Sequence, residues 1–179
     1  YSGNILTSES NGIEFSTAAN DQNGASLTYL STSNIVTVCW EDFRNGLHWD
    51  VYCRNFNGNN QTLDSEFVLS DNIGDQLNPY LFTSLEETVL IVWEDFRNGA
   101  NEYSDIYIQE LENNGINYGD GGIVVCDAFH NQVNPRIDIL SHNANSSYLI
   151  YWDDMRSSGK EDLSNIYLQS ITVEESECI

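Results

Sequence analysis

The stretch Trp40-Glu41-Asp42-Phe43-Arg44-Asn45-Gly46 returns unchanged at residues 93–99, and residues 152–159 carry a degraded third copy, WDDMRSSG. Each copy ends a run rich in β-branched and aromatic residues. Each is followed, after a polar loop, by a short triplet: Asp50-Val51-Tyr52, Asp105-Ile106-Tyr107 or Asn165-Ile166-Tyr167. Such an internal repeat predicts a repeated structural unit. It indicates architecture more than chemistry, and we expect no active site.

The repeat also contains a turn with an Asp/Asn-Gln dipeptide, and around it one unit can be written as four short antiparallel strands. The predicted strands fall at 26–30, 80–82 and 136–140 (first), 35–40, 89–93 and 148–152 (second), 50–55, 105–111 and 165–171 (third), and 66–70 and 122–126 (fourth). A further strand at 13–17 aligns with the fourth strands. Because no segment has sustained helical periodicity, the fold class is all-β.

The Trp residues of the three copies are 53 and 59 residues apart. Four strands repeating at about 40–50 residues are typical of a β-propeller blade. The elements W-E-D-x-R-x-G, D-I-Y-x-Q and G-D-Q-x-x-P together resemble a propeller blade repeat of secreted bacterial proteins, over roughly residues 13–171. The resemblance implies three four-stranded blades. Proteins with this repeat include surface adhesins and large extracellular repeat proteins, and they have more blades than this chain.

We interpret residues 1–179 as a single repeat domain. Its approximate units are 13–65, 66–121 and 122–179, with terminal extensions 1–12 and 172–179. Propellers close with about four to eight blades. The chain starts with a strand like a fourth strand and ends with one like a third, so a strand of one molecule could complete the last blade of another. The result would be a head-to-tail fibre or a ring of two copies; a segment of a longer polypeptide is the other solution. Open sheet edges favour association with a further copy.

The charge of the chain excludes some partners. There are 28 acidic residues against 6 basic ones, a net charge of −22. Such a surface repels nucleic acid and anionic membranes, and it suits Ca²⁺ or a cationic partner. The sequence contains no run of 18 apolar residues, so it predicts no membrane-spanning helix. The chain begins at Tyr1 without a visible signal peptide, which indicates a processed chain or an excised segment, and we expect a secreted or cell-surface location.

Three of the six cations occupy one position of the repeat. We predict that each pairs through both carboxylate oxygens with the Asp two residues earlier. In simple register, each repeated Trp also faces the Tyr of its triplet, as a packing pair or as a platform for a sugar ring. The residues of this structural repeat are Trp40, Asp42, Arg44 and Tyr52; Trp93, Asp95, Arg97 and Tyr107; and Trp152, Asp154, Arg156 and Tyr167.

The chain has four cysteines, and an even number in a secreted chain favours disulfides. The register that places Trp40 opposite Tyr52 also places Cys39 opposite Cys53, within disulfide range. We predict a bridge there, against the alternative of two buried thiols. Cys126 and Cys178 are then left to pair within the chain or between subunits. The spacing of the cysteines and histidines matches no zinc site.

Other candidate sites lie in loops. Trp49 has no counterpart in the other repeats and stands beside His48, which makes the two the best candidates for contact with a ligand. The acidic turns suggest a weak Ca²⁺ site at Asp71, Asp75 or Asp127, although they lack the EF-hand pattern. The remaining candidates are the glycosylation sequons at Asn60 and Asn145.

Some propellers are glycosidases, which need paired carboxylates around the central axis. The predicted innermost strands, SLTYL, PYLF and RIDIL, contain one acidic residue, Asp138. No nucleophile elbow or phosphate-binding loop is present. We therefore predict a non-catalytic structural subunit that assembles with itself. The alternatives are a lectin-like, glycan-binding propeller module and, third, a glycosidase.

Overall fold

A computed structural model describes residues 12–98, 103–112, 115–119, 121–141, 147–156 and 164–172. In these ranges every regular element is a strand, and all strand pairs are antiparallel. The all-β fold class is thereby confirmed. Within the same ranges, no helix long and apolar enough to cross a membrane is found.

The strands form three separate sheets. The first sheet contains β1 (Gln22–Leu30), β2 (Ile35–Asp42), β3 (Asp50–Asn57), β4 (Thr62–Leu63) and β5 (Phe67–Ser70). The second contains β6 (Gln76–Thr83), β7 (Val89–Asp95), β8 (Asp105–Glu112), β9 (Gly115–Ile116) and β10 (Ile123–Cys126). The third contains β11 (Gln132–Ser141), β12 (Ser147–Asp154) and β13 (Asn165–Thr172).

The eleven predicted strands from residue 26 onward all appear, but the first strand of each sheet starts four residues earlier than predicted, at Gln22, Gln76 and Gln132. The extra residues pair with the end of the second strand across a bulge, where two residues of the first strand have no direct partner. The bulge residues Gly24, Asn78 and Asn134 have φ values of 58°, 52° and 56°. Gly and Asn tolerate this left-handed backbone best, so the turn residues serve as strand bulges.

The predicted strand at 13–17 is not a strand: these residues are irregular. They lie near the outward face of the first sheet, where the carbonyl oxygen of Phe15 accepts a hydrogen bond of 2.7 Å from Nη1 of Arg54. The Arg54 side chain therefore binds a backbone carbonyl group that would otherwise pair with a neighbouring strand. The sheets themselves span 22–70, 76–126 and 132–172, so β5 and β10 pair with the preceding strands and not with the units that follow.

The three sheets pack face to face, and the second sheet lies between the other two. Along β7, Val89, Ile91 and Trp93 belong to an apolar core shared with the first sheet. The alternate residues Leu90 and Val92 belong to a second core shared with the third sheet. Side chains alternate across a strand, so one strand serves both cores. All seven residues of β7 are accordingly buried, as expected for a sheet covered on both faces.

Candidate functional site

The repeated motif builds the same local structure in all three sheets, which we call the Trp-Asp-Arg clamp. In the second sheet, Asp95 accepts hydrogen bonds from Nε1 of Trp93 (2.8 Å) and from the backbone N–H, Nε and Nη2 of Arg97 (2.9, 2.9 and 2.6 Å). The equivalent bonds join Asp42 to Trp40 and Arg44, and Asp154 to Trp152 and Arg156. The predicted bidentate pairs are confirmed, including the one in the degraded third copy.

The clamp also stacks its Arg on the Tyr of the triplet. The guanidinium carbons of Arg44, Arg97 and Arg156 lie 3.6, 3.8 and 4.3 Å from the ring centroids of Tyr52, Tyr107 and Tyr167. Each repeated Trp faces its Tyr in the strand register, as predicted. An Arg therefore covers one face of the repeated Tyr in every sheet. Recurrence of the same stacking in all three sheets favours a structural role for the clamp.

Two of the clamp carboxylates, Asp42 and Asp154, are held in the ionised form. Burial by itself raises the pKa of Asp42, but hydrogen bonds from Arg44 and Trp40 outweigh burial and hold the pKa below its ordinary value. The same balance, with Arg156 and Trp152, lowers the pKa of Asp154. A buried carboxylate that accepts several charged or backbone hydrogen bonds favours its charged form. The clamp is thus a fixed salt bridge and does not supply a proton donor.

A second repeated contact, which we did not predict, joins neighbouring sheets. Oε1 of Glu41 accepts the backbone N–H of Asn78 (2.8 Å), and Oε1 of Glu94 accepts that of Asn134 (2.7 Å). We call Glu41 and Glu94 the junction carboxylates. Each lies on the second strand of its sheet and binds the bulge of the next sheet. The signal in the sequence was the Glu of WEDFRNG, which precedes the clamp Asp and points to the opposite side of the strand.

Glu94 is the more buried junction carboxylate, only 4% exposed. Burial raises its pKa, although hydrogen bonds from the Asn134 backbone and the Asn78 side chain oppose the shift. Glu41 adds to the rise through its like charge, and Arg136 counteracts it. A buried carboxyl group with a raised pKa is also what a general acid needs. At both junctions, however, the carboxylate serves the same backbone contact, which favours a structural role.

The predicted disulfide between Cys39 and Cys53 is confirmed. The two residues are paired on β2 and β3, and both side chains lie in the core between the first and second sheets. Cys126 is a free, half-buried thiol within the described residues. Nη2 of Arg156 lies 2.8 Å from its sulfur, and burial raises the pKa of the thiol. Cys178 lies outside the described residues, so the pairing of these two cysteines stays a prediction.

The loop of Trp49 and His48 is tied to the sheets. The Trp49 ring packs on Phe43, with centroids 5.0 Å apart, and the backbone N–H of Trp49 donates to Oδ1 of Asp75 (2.9 Å). Nδ1 of His48 lies 2.8 Å from the carboxylate of Asp50. Burial raises the pKa of Asp50, and the contact with His48 opposes part of that rise. Ser104 occupies the place of Trp49 at the next junction, where its N–H donates to Asn131 (3.0 Å). The backbone of this loop therefore has a junction role in addition to any ligand contact.

The remaining candidate sites are separated. Asp71 and Asp75 lie in the turn between the first two sheets, and Asp127 lies in the next turn. Among the described residues, no group of three His, Cys, Asp or Glu side chains could hold a metal ion. Asn60 is exposed in the turn between β3 and β4, where a glycan would have access. Asn145 lies outside the described residues.

An aromatic cluster that sequence reasoning missed lies near the junction of the second and third sheets. The Tyr103 ring is 5.4 Å from that of Phe129 and 5.0 Å from that of His130. Phe129 is 64% exposed. A cleft of about 190 Å³ beside the cluster is lined by Asn98, Tyr103, Asp105, Asp127, Ala128 and Phe129. The residues come from separate turns, so no local motif announces them.

No protein-family model matches the chain, and no curated protein is significantly similar to it in sequence. Among solved structures, the GH93 α-L-arabinofuranosidase of Fusarium graminearum, in complex with arabinobiose, matches with a TM-score of 0.57 and 13% identity. The match covers 83% of this chain and 46% of that one, so the chain spans about half of its neighbour. That neighbour is a β-propeller. At this identity the likeness shows the fold alone: antiparallel sheets arranged as in part of a propeller.

Proposed function

We propose that the protein is a non-catalytic, extracellular building block that assembles head to tail with further copies of itself by covering the exposed face of its third sheet. The observation that carries this proposal is the exposure of one set of matched positions. The positions are opposed pairs on the second and third strands, on the side that faces the following sheet. They are Cys39 and Cys53 (both 0% exposed), Val92 (0%) and Ile108 (2%), and Tyr151 (42%) and Leu168 (66%).

The backbone of the third sheet supports the same proposal. β3 pairs with β5 and β8 pairs with β10, so the third strand of each of the first two sheets is covered by a fourth. Within the described residues, β13 pairs only with β12. An exposed edge strand offers unpaired N–H and C=O groups to another chain. Ile166, exposed by 69% on this strand, adds apolar area that association would bury.

The disulfide supports the extracellular part of the proposal, because such bonds persist in oxidising compartments. The non-catalytic part rests on the repeated carboxylates. The clamp residues Asp42, Asp95 and Asp154 hold Arg and Trp side chains, and the junction carboxylates hold backbone N–H groups. A catalytic site would occur once, whereas these contacts recur from sheet to sheet.

The test is the mass of the native particle. The chain mass is 20.2 kDa, and multi-angle light scattering at micromolar concentration should give at least twice this value. Leu168→Asp should shift the particle toward the monomer, because it places a charge on the contact surface. Leu47→Asp, at a loop leucine that is 82% exposed, is the matched control and should leave the mass unchanged. A monomer at every concentration would contradict the proposal.

The aromatic cluster favours a second candidate function, glycan binding. An exposed aromatic ring beside amide and carboxylate groups offers both an apolar face and hydrogen-bonding partners for a sugar. Phe129 with Asp105 and Asp127 has this composition. Binding to a glycan panel, measured by calorimetry, should then be lost in Phe129→Ala and kept in Ile73→Ala, an exposed apolar control at the equivalent place in the preceding turn.

The arabinofuranosidase neighbour suggests the third alternative, a glycosidase. Such an enzyme needs one carboxyl group to act as an acid, and Glu94 has the raised pKa for that role. Incubation with arabinobiose, followed by chromatography of the products, tests this alternative. Our proposal predicts no hydrolysis, and activity that Glu94→Gln abolishes would overturn it.

A further inference from the structure

We propose that the outer face of the third sheet packs against the outer face of the first sheet in a second copy of the chain, with the carboxylate of Asp153 accepting the backbone N–H of Gly24 in that copy. This inference rests on the proposed self-assembly and names the contact that produces it. Two junctions inside the chain share one geometry, in which a carboxylate on one sheet binds a bulge N–H on the next. The outer face of the third sheet carries an equivalent carboxylate, and the outer face of the first sheet carries an equivalent bulge.

The strand register defines the matched positions. Asn23 is opposite Glu41, Leu77 is opposite Glu94 and Val133 is opposite Asp153. The next residue of each first strand, namely Gly24, Asn78 or Asn134, is the bulge residue. Inside the chain, the junction carboxylate of one sheet binds the bulge N–H of the next: Glu41 binds Asn78, and Glu94 binds Asn134. The third members of the two series are Asp153 and Gly24. Oδ2 of Asp153 already accepts Nδ2 of Asn134 (2.9 Å), just as Oε1 of Glu94 accepts Nδ2 of Asn78 (2.7 Å) in addition to the bulge N–H of the next sheet.

The chemistry of the two remaining residues is complementary. Asp153 is one methylene shorter than the Glu at the other two junctions, so its carboxylate reaches less far. Gly24 lacks the side chain that Asn78 and Asn134 carry, and the carboxylate of Glu41 fills the space where its Cβ would lie, at 2.7 Å. A cleft of about 350 Å³ opens beside Gly24 and is lined also by Phe15 and Trp40, which gives the carboxylate a way in.

The apolar surfaces of the two faces also match. On the side that faces the preceding sheet, Leu81 and Ile137 are 5% and 2% exposed, because each packs on a sheet before it. The equivalent residue of the first sheet, Leu27, is 63% exposed. The opposite face of the third sheet exposes Tyr151 and Leu168. Packing the two faces together would give each residue the environment that its counterparts already have.

The fold neighbour indicates how much structure two copies supply. Most of this chain corresponds to 46% of a propeller, so two copies span nearly the whole of a fold of that size. The Asp153 face of each copy would then meet the Gly24 face of the other. Such a pair of heterologous contacts closes on itself and leaves neither face exposed.

The first measurement is the dissociation constant of the particle, by sedimentation equilibrium, for wild type and for Asp153→Ala. Loss of a hydrogen bond to a charged acceptor should weaken association about 10- to 100-fold. Asp127→Ala removes the same charge at an exposed turn and should leave the constant unchanged. If the wild type assembles and the two variants behave alike, the Asp153 contact is wrong while self-assembly stands. A wild type that stays monomeric would refute self-assembly itself.

A second measurement tests the register by cross-linking. Inside the chain, the side chains of Thr28 and Thr83 meet across the junction of β1 and β6, 2.6 Å apart. Their counterparts at the proposed contact are Asp138 and Tyr29, both exposed. Asp138→Cys combined with Tyr29→Cys should form an intermolecular disulfide under mild oxidation. Asp138→Cys combined with Leu47→Cys should not, and equal cross-linking in both variants would overturn the register.

Discussion

The second and third sheets share a strand register and a Trp-Asp-Arg clamp but differ in what covers them. The second sheet has a neighbour on each face, and every residue of β7 is buried. Among the described residues the third has a neighbour on one face, and along β13 six of eight residues are exposed, whereas residues 105–111 of β8, its counterpart, are all buried. The clamp forms in both sheets, so it depends on local sequence. Burial depends on the next sheet, and the third sheet shows what the second would expose without one.

The largest effect should come from removing the clamp carboxylate whose Arg is the less exposed. Asp95→Ala leaves the indole N–H of Trp93 buried without its acceptor, and it leaves the guanidinium of Arg97 with the Ser70 hydroxyl and the Gly121 carbonyl as acceptors. We expect a loss of about 3–5 kcal/mol in the free energy of unfolding, measured by urea denaturation. Asp154→Ala should cost less, because the Arg156 side chain is 33% exposed against 16% for Arg97. Equal losses would show that the exposure of the Arg side chain does not matter to the clamp.

The next effect concerns the matched apolar pair Ile108 and Leu168. Ile108→Ala empties part of the core between the second and third sheets and should cost about 2–5 kcal/mol. Leu168→Ala in the monomer should change the free energy of unfolding by less than about 0.5 kcal/mol. Thermal unfolding across a dilution series measures both. A cost for Leu168→Ala that grows with protein concentration would show that association covers this residue.

The first sheet has a disulfide at the positions where the second sheet has an apolar pair. Cys39 and Cys53 occupy the positions of Val92 and Ile108, and 14 residues separate them in sequence. Cys39→Val with Cys53→Ile copies the second sheet and removes the cross-link. The oxidised wild type should be more stable than this variant by about 2–4 kcal/mol. Calorimetry with and without reductant tests this, since the variant should not respond to reductant. Identical melting of the two oxidised proteins would contradict it.

The smallest effect is the pH dependence of stability that arises from Glu94, at the junction of the second and third sheets. Burial raises the pKa of Glu94 in the folded state. Its contribution to stability is therefore fully present below its unfolded pKa, about 4.3. It is lost as pH rises through the folded value. Glu94→Gln keeps an acceptor oxygen and should flatten this part of the profile, measured as urea midpoints between pH 4 and 8. Glu14→Gln, the same substitution at an exposed residue, is the control.

The clamp carboxylates should act in the opposite direction. The pKa values of Asp42 and Asp154 are lowered by their hydrogen bonds to Arg and Trp, which outweigh burial. Their stabilisation is present above the unfolded value, about 3.9, and is lost as pH falls through the folded one. If the stability of Glu94→Gln still declines as the pH falls below 4, the clamp carboxylates and the junction carboxylate Glu94 have separate effects on stability. A flat profile there would show that the clamps do not carry the acid sensitivity.

Much of the fold could be predicted because its determinants are local. The register that opposes Trp40 to Tyr52 follows from hairpin pairing, and it placed Cys39 opposite Cys53 without any knowledge of tertiary structure. The Asp-x-Arg spacing likewise fixed the salt bridges. The prediction of a strand at 13–17 was wrong because an alternating pattern fits any segment that has one side buried and the other exposed. Its hydrogen-bonding partner, Arg54, lies on a distant strand.

The candidate sites were harder to predict because their residues meet only across sheets. Glu94 directly follows the predicted strand 89–93, and only the bulge of the next sheet makes it a buried acceptor. The cluster of Tyr103, Phe129 and His130 joins two turns that are far apart in sequence. Trp49 was chosen as an isolated aromatic residue, and the fold shows that its backbone also ties two sheets together.

The sequence by itself determined the repeat, the strands, their register, the disulfide and the clamp, because each depends on residues within one hairpin. Only the tertiary structure decided which carboxylates are buried, which apolar residues are exposed and which sheet remains open on one side. Those properties depend on the packing of one sheet against the next, and alternation along a strand marks two faces without saying what covers each. Leu168 and Ile108 occupy equivalent positions in the repeat, and Ile108 is buried because the third sheet packs on it, whereas Leu168 is exposed.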